Sequence, residues 1–180
     1  MTNQIEFYVD GSAINNENPN VPTLGGVGVA IIEDGEVEGI KVEVSNHTIL
    51  EDFPLDLKQT TNNTTELAAI YVALKLTRDL VMNKRVRSVV IYGDSQYAGN
   101  LVFGNWKPKE NKELVAKVKA ERENTEAYLG KASETVTWEY VKAHADNQYN
   151  NYADYLARSG AYKTPEKEVL PFNEWLLSNH

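Results

Sequence analysis

Three acidic residues stand where a folded sheet could bring their carboxylates together. Asp10 follows the predicted strand 5–9, Asp94 follows closely on the predicted strand 87–92, and Glu66 stands near the start of an amphipathic helical pattern. If the first and fourth strands are neighbours, both aspartates emerge at one edge of the sheet. Clustered carboxylates repel one another unless a cation lies between them, and oxygen ligands favour Mg²⁺ or Mn²⁺. The pattern predicts a divalent metal site.

Each of these acids also has a purely structural interpretation. The triplet 10–12 reads Asp-Gly-Ser, which is a common turn sequence, and Glu66 can interact with the dipole of a helix N-terminus. Asp94 and Ser95 together can cap a helix. None of the three acids by itself distinguishes a structural role from a metal-binding role, so evidence from the rest of the chain is needed.

Composition narrows the kinds of site that the chain can build. The chain has no cysteine, so disulfides and thiolate metal sites are excluded and Asp, Glu and His are the strong ligands that remain. The net charge is −8, but residues 75–122 carry 11 Lys and Arg against 5 Asp and Glu. A local basic surface can bind phosphates despite an acidic total, although a solvated helix gives the same pattern.

The elements that must position the acids follow from periodicity. Asp34-Gly35 is a strong two-residue hairpin signal between the second and third strands, and we expect the first three strands to pair antiparallel. Strands are predicted at 5–9, 25–33, 36–45, 87–92 and 135–141, and helices at 64–82 (capped by Asn63 or Thr64), 96–103, 111–128 and 147–161. This order, β-β-β-α-β-α-α-β-α, predicts an α/β fold with a five-stranded mixed sheet flanked by helices.

Five short strings occur in a fixed order along the chain. They are Tyr8-Val9-Asp10-Gly11-Ser12, Thr60-Thr61-Asn62-Asn63-Thr64-Thr65-Glu66-Leu67, Tyr92-Gly93-Asp94-Ser95-Gln96-Tyr97, Trp138-Glu139-Tyr140-Val141-Lys142-Ala143-His144 and Ala153-Asp154-Tyr155-Leu156-Ala157. In this order and spacing the chain closely resembles type I ribonuclease H over residues 4–160. The resemblance implies the ribonuclease H-like fold and hydrolysis of the RNA strand of RNA–DNA hybrids, leaving 5′-phosphate and 3′-hydroxyl ends.

The resemblance also implies the residues of the reaction. It makes Asp10, Glu66, Asp94 and Asp154 the ligands of two Mg²⁺ ions, for which Mn²⁺ can substitute. His144 matches a loop histidine that assists proton transfer or product release. The family usually has glycine where Ala143 stands, which implies a stiffer loop in this chain.

Substrate-binding residues follow from the same resemblance. Amide side chains both donate and accept hydrogen bonds, as a 2′-hydroxyl does. The residues expected at the substrate are Gly11 and Ser12, the amides Asn62, Asn63 and Gln96, the phosphate-pocket pair Thr61 and Asn111, and the basic protrusion with Trp106, Lys117 and Lys119. Core packing is the alternative for Trp106.

The chain departs from the family pattern in four further places. Gln59 replaces an arginine that is frequent in the phosphate pocket, and the long first loop keeps only Asn18-Pro19 of a compact glycine-containing string. Residues 46–58 form an insertion. We expect a ribonuclease H domain at 1–162 and a C-terminal tail at 163–180, whose Trp175-Leu176-Leu177 suggests a docking helix. These departures concern the grip on substrate rather than the chemistry.

Three other functions remain open at this point. The chain could be a hybrid- or RNA-binding module with a dead site, a DNA exonuclease or resolvase of a related group, or a domain separated from a reverse transcriptase. The four acids argue against the first, and Asn62, Asn63 and Gln96 against the second. Since little precedes the first strand, we expect a free-standing protein. No apolar stretch of about 18 residues occurs, so we expect no membrane span. We also expect a monomer, located in the cytoplasm of a cell or, for a viral protein, in the cytoplasm of the host cell.

Overall fold

The computed structural model describes residues 4–14, 20, 23–45, 53–83, 86, 88–130, 136–143 and 145–178. The elements in these ranges are β1 (Gln4–Ile14), β2 (Leu24–Glu33), β3 (Glu36–Val44), α1 (Asn62–Asn83), β4 (Ser88–Gly93), α2 (Gln96–Val102), α3 (Lys112–Tyr128), β5 (Val136–Tyr140), α4 (Gln148–Ala161), a 3₁₀ turn (Glu166–Glu168) and α5 (Phe172–Leu177). The predicted order and fold class are confirmed. His144, Asn18-Pro19 and residues 46–52 of the insertion lie outside the described residues.

The sheet has the strand order β3-β2-β1-β4-β5. β1, β2 and β3 pair antiparallel, and β4 pairs parallel with both β1 and β5. Asp34 and Gly35 connect β2 to β3 with positive φ angles of 50° and 81°, which is the conformation that the hairpin signal predicts. The central place of β1 makes it the neighbour of β4, as the metal-site argument requires.

The expectation that β1 ends at Asp10 is wrong, because the strand continues to Ile14. Its second half pairs only with β2, from Asp10 opposite Gly28 to Ile14 opposite Leu24. The parallel ladder with β4 stops at Val9 and Gly93. Pairing with β2, rather than the local turn sequence, decides where the strand ends.

The start of α1 also differs from the prediction. The helix begins at Asn62, and Thr61 rather than Asn63 or Thr64 caps it. The Thr61 hydroxyl accepts from the Thr64 N–H at 3.1 Å, and the Thr64 hydroxyl accepts from the Thr61 N–H at 2.9 Å. This reciprocal pair is a threonine version of the capping box. It places Glu66 just after the first turn of the helix, not within it.

Different elements pack against the two faces of the sheet. Residues such as Phe7 and Val9 face α1 and α3 in the larger core cluster. Tyr8 and Ala30 face α4 and the C-terminal segment in a second cluster rich in aromatic residues. None of the helices in the described ranges is both long enough and apolar enough to span a membrane.

Candidate metal centre

Asp10 lies on β1 just beyond the point where the neighbouring strand β4 ends. It is one residue beyond the last parallel pair, Val9 with Gly93, and its side chain is only 4% exposed. Asp94 comes directly after Gly93, so it leaves β4 at the same level. The two aspartates therefore meet at the carboxyl edge of the parallel strands, as the sequence predicts.

Asp94 lies between β4 and α2. Ser95 caps α2 by accepting from the Ala98 N–H at 3.0 Å. The interpretation of residues 94–95 as a helix cap thus holds for Ser95. It does not account for Asp94, whose Oδ2 instead accepts a hydrogen bond from Asn150 Nδ2 at 3.3 Å.

Glu66 reaches the aspartates because α1 packs closely against β1 at Gly11. A Cβ atom on Gly11 would lie 2.3 Å from the carbonyl carbon of Thr65 and 2.5 Å from the nitrogen of Glu66. Any side chain there would push the helix away from the strand. Gly11 therefore brings the start of α1, and with it Glu66, to the carboxyl edge of the sheet.

One carboxylate oxygen from each of Asp10, Glu66 and Asp94 lies within 4.8 Å of the others. Burial, together with the charge of Glu66, raises the pKa of Asp10 well above its usual range. Burial and the charge of Asp94 raise the pKa of Glu66 to about 8. Both carboxyls thus resist ionisation at this site. A divalent cation would remove that resistance, and an all-oxygen donor set suits Mg²⁺ or Mn²⁺, so the residues fit a metal.

Asp154, the fourth predicted acid, lies at the rim of this cluster on α4. A hydrogen bond that the protonated Asp10 carboxyl donates to Asp154 contributes to the raised pKa of Asp10. Its Oδ2 also lies 3.2 Å from Nε of Arg158, one helical turn further on. The three oxygens that lie within 4.8 Å of one another do not include one from Asp154. The structure therefore brings all four acids together, with Asp154 shared between the cluster and an arginine.

Asn150 is a site residue that sequence reasoning missed. Its side chain is buried at 2% exposure, Nδ2 donates to Asp94, and Oδ1 has no partner among the described residues. The available signal was its position four residues before Asp154, since residues at that spacing share a helix face. Asn150 holds Asp94 in place from α4.

The predicted amide residues surround the same edge. Asn62 and Asn63 are exposed in the first turn of α1, and Gln96 is exposed at the start of α2. Asn62 Oδ1 accepts from the Ala13 N–H at 3.2 Å, which ties α1 to the end of β1. Ser12 is half-buried on β1. The three amides therefore stand at element starts next to the acids.

Asn111 and Thr61, the predicted phosphate pair, both lie just before a helix. Asn111 precedes α3 with a φ of 56°, and its Nδ2 donates to the Tyr97 hydroxyl at 3.1 Å. The Thr61 hydroxyl is engaged in the cap of α1. Residues 55–59, 109–114 and 117 line a groove of about 880 Å³.

The predicted basic residues divide into two groups. Lys117 lines this groove together with Lys58, Lys109 and Lys112, whereas Lys119 is half-buried and is not among the lining residues. Lys58 forms an ion pair with Glu113 across the groove. Trp106 is 51% exposed, so the alternative that it packs in the core is wrong.

Comparison with known proteins agrees with this geometry. The family model for RNase H matches residues 2–162. The chain is 31% identical to the ribonuclease H of Pseudoalteromonas translucida, covering 89% of this chain and 92% of that protein. It is likewise 31% identical to the ribonuclease H of Chlorobium luteolum, covering 92% and 100%. The solved structure of LC11-RNase H1 with an RNA/DNA hybrid is similar in fold, with a TM-score of 0.64 and 21% identity over 88% of this chain and 97% of that one.

Proposed function

Because the chain belongs to the RNase H family, it is a ribonuclease H, and we propose that it hydrolyses the RNA strand of RNA–DNA hybrids at the acidic cluster. The observation that carries this proposal is the approach of Asp10, Glu66 and Asp94 to within 4.8 Å of one another. LC11-RNase H1, which shares the fold, was solved with such a hybrid. The products have 5′-phosphate and 3′-hydroxyl ends.

We assign the metal-binding role to Asp10, Glu66, Asp94 and Asp154, with Mg²⁺ as the working ion and Mn²⁺ as a substitute. Two bound ions would supply an activated water and neutralise charge on the leaving 3′ oxygen. The chain's own part is to present four carboxylates in a fixed arrangement. Asp10 is held rigidly by β1, and Asn150 orients Asp94 through its amide. Because the carboxylates are placed before binding, little ordering is required of them when the ions arrive.

Recognition of the RNA strand falls to the amides beside the acids. Asn62, Asn63 and Gln96 each offer a donor and an acceptor to a 2′-hydroxyl or a base edge. Gly11 and Ser12 bring the backbone of β1 close to the scissile phosphate. Gly11 and Ser12 follow Asp10 on β1, Asn62 and Asn63 begin the helix that carries Glu66, and Gln96 comes two residues after Asp94. This proximity in the chain supports one shared binding surface.

The DNA strand is held, in this proposal, on the other side of the carboxyl edge. Thr61 and Asn111 bind one of its phosphates, and the exposed Trp106 offers a flat surface to a sugar or base. Lys117 and Lys119 add positive charge beside them. Such contacts fix the register of the hybrid without reading its sequence.

His144 is proposed as the proton carrier. It follows β5 in the segment 141–147 that leads to α4, so its neighbours in the chain, Ala143 and Ala145, lie between an edge strand and the helix of Asp154. A neutral imidazole can accept a proton near pH 7 and release it again. This role requires that the imidazole can reach the reacting groups, and it does not require one fixed position.

We further propose that residues 1–162 form the ribonuclease H domain and that 163–180 form an appended tail. All four acids come from one chain, which supports a monomer as the working unit. We propose the cytoplasm as its location, or that of a host cell if the source is a virus. Sedimentation of the purified protein tests the monomer, and cell fractionation tests the location.

The deciding experiment compares three labelled substrates of one sequence. RNA–DNA hybrid, RNA duplex and DNA duplex are incubated in parallel with Mg²⁺ or Mn²⁺, and with EDTA as the control. We expect metal-dependent cleavage of the RNA strand in the hybrid alone. Binding without cleavage would show a dead-site binding module. Preference for the DNA duplex would show a DNA nuclease, and either result would overturn the proposal.

A further inference from the structure

The backbone of Leu170 is bonded on both sides to tyrosines of α4. Its carbonyl accepts from the Tyr152 hydroxyl at 2.9 Å, and its N–H donates to the Tyr155 hydroxyl at 2.8 Å. Tyr152 is 2% exposed and Tyr155 is half-buried, so these bonds are partly shielded from water. Two side chains of one helix thus secure a single residue of the C-terminal segment 164–177.

The same segment inserts two large aromatic rings beside those tyrosines. Phe172 and Trp175 are 8% and 5% exposed. The Tyr152 ring lies 5.2 Å from each of them, and Trp175 lies 6.1 Å from Tyr155. Aromatic pairs at such distances add to the free energy gained by burial. The segment is therefore packed onto α4, and not only hydrogen-bonded to it.

The aromatic contacts continue beneath the acidic cluster. Phe172 lies 5.4 Å from Tyr149, Tyr149 lies 5.2 Å from Tyr8, and Tyr8 stacks on Tyr92 at 4.5 Å. Tyr8 precedes Asp10 by two residues on β1, and Tyr92 stands two residues before Asp94. Residues two apart on a strand face the same side of the sheet. A continuous set of rings thus runs from the C-terminal segment to the strand positions next to the acids.

The opposite side of α4 rests directly on the sheet. A Cβ atom on Gly28 would lie 2.1 Å from the carbonyl oxygen of Ala153, and one on Gly26 would lie 2.0 Å from that of Ala157. The helix therefore lies between two glycines of β2 and the C-terminal segment. The two glycines allow α4 to lie close to the sheet, and the C-terminal segment packs against the other side of the helix.

We propose that the C-terminal segment 164–177 positions α4 so that Asn150 and Asp154 reach the acidic cluster, with Tyr152 and Tyr155 as the positioning residues. The inference rests on the metal-binding role proposed for that cluster. Tyr152 and Tyr155 flank Asp154 on both sides along α4, so a shift of the helix at these positions moves Asp154 with it. The RNase H family model ends at residue 162, which places the segment, though not the two tyrosines, outside the part of the chain that the family model matches.

The test must separate positioning from plain stabilisation. The double variant Tyr152→Phe/Tyr155→Phe keeps both rings and removes both hydroxyls, and Trp175→Ala perturbs the segment without changing α4. Thr77→Val is the matched control for a lost hydroxyl, because Thr77 is buried in α1 and its hydroxyl donates within its own helix to the carbonyl of Ala73 at 2.9 Å. Leu74→Ala is the control for a large-to-small change in the core of α1.

Two measurements on the full-length protein carry the test. Mn²⁺ binding to the free protein is followed by electron paramagnetic resonance, and amide hydrogen exchange is followed in residues 148–161. We expect the Kd for Mn²⁺ to rise about 3- to 10-fold in both tail-contact variants, somewhat below the effect expected for direct partners of metal ligands. Exchange in α4 should accelerate in the same variants. Both controls should bind Mn²⁺ as the wild type does.

The steady-state constants give an independent check. Because none of the residues proposed to bind the substrate belongs to the segment, kcat on a hybrid should fall by a similar factor while KM for the hybrid stays unchanged. Unchanged Mn²⁺ affinity in both variants, with only a lower Tm, would overturn the proposal and leave the segment a stabilising element. Should the wild type fail to cleave any hybrid, the proposed function would be wrong, and Mn²⁺ binding would still decide the positioning role.

Discussion

Asp10 and Asp94 both lie one residue beyond the last pair of the parallel β1–β4 ladder, which ends at Val9 and Gly93. Two carboxylates at the same level of adjacent strands repel each other when no cation is present. Burial of Asp10 strengthens this effect, because a buried charge is less screened by water. The metal-free site therefore destabilises the folded protein, and binding of a cation would relieve the repulsion between the carboxylates.

Replacement of Asp10 by Asn should have opposite effects on activity and stability. We expect cleavage in Mg²⁺ to be lost while hybrid binding is largely retained, because the amide keeps the shape but not the anionic ligand. In EDTA at pH 7–8 the variant should be more stable than the wild type, because the neutral amide avoids burying a charge beside Glu66 and Asp94. Thermal unfolding and a cleavage assay on the same preparation measure both. Near-normal turnover by folded D10N protein would refute the metal assignment.

The raised pKa values of Asp10 and Glu66 predict how the metal-free protein responds to pH. Folding favours the protonated form of both carboxyls, so their contribution to stability is fully present below the ordinary pKa values of 3.8 for Asp10 and 4.5 for Glu66 and is lost as pH rises towards 8. The free energy of unfolding in EDTA should thus decrease across this window. We expect Glu66→Gln to flatten the decrease, and saturating Mg²⁺ to reduce it. A wild-type profile parallel to that of E66Q would contradict the shift.

Asn150 provides a test of the support for Asp94. Asn150→Ala removes the hydrogen bond to Asp94 Oδ2, and loss of such a partner typically costs about 10- to 100-fold in metal affinity or activity. Asn150→Asp should be worse, because it adds another negative charge to the cluster. Asn151→Ala, one residue further along α4, is the matched control, since Asn151 bonds the backbone of Ala145. Equal activity of N150A and N151A would exclude the role.

His144→Ala should slow cleavage without abolishing it. Positioned proton transfer contributes about 10²–10⁴-fold to a rate, and the four acids would remain in place. Single-turnover cleavage of a hybrid at several pH values measures the effect and the ionisation of the group. A loss as complete as that of D10N would assign His144 a different role.

Lys117 and Lys119 should differ in their effect on hybrid binding. Lys117 lines the groove with Lys58, Lys109 and Lys112, and Lys119 does not. A lost phosphate contact reduces the log–log salt slope of the binding constant by about 0.9 or less. We expect this reduction for Lys117→Glu and a smaller one for Lys119→Glu, with kcat at saturation unchanged in both. The hybrid Kd is measured from about 50 to 200 mM salt. Equal slopes in the wild type and K117E would show that other basic residues contact the phosphates.

Much of the fold was predictable because its signals are local. Alternating residues and the Asp34-Gly35 turn define the β2–β3 hairpin, and the run 87–92 followed by Asp94 marks the end of β4. Asp10, Glu66 and Asp94 could be chosen because strand and helix starts are visible in the pattern. Asp154 could not, because nothing in its own surroundings distinguishes it from an exposed helix residue, and it depended on the resemblance.

What the sequence did not predict depends on partners distant in the chain. β1 extends to Ile14 because β2 pairs with it, and Asn150 belongs to the site because α4 rests on Gly26 and Gly28. The contact of Leu170 with two tyrosines is a further case. No short window of sequence contains both members of such a contact, so periodicity cannot reveal it.

The close packing of α4 on Gly28 also has a consequence for the order of folding. Gly28 and Ala153 are separated by most of the chain, whereas the β1–β2–β3 meander joins neighbouring segments. Closing a long loop costs more entropy than closing a hairpin and slows folding. We therefore expect the meander to form early and α4 to dock late, so that a partly folded chain holds Asp10 in place before Asp154 arrives. Catalytic competence is then acquired in the final step of folding.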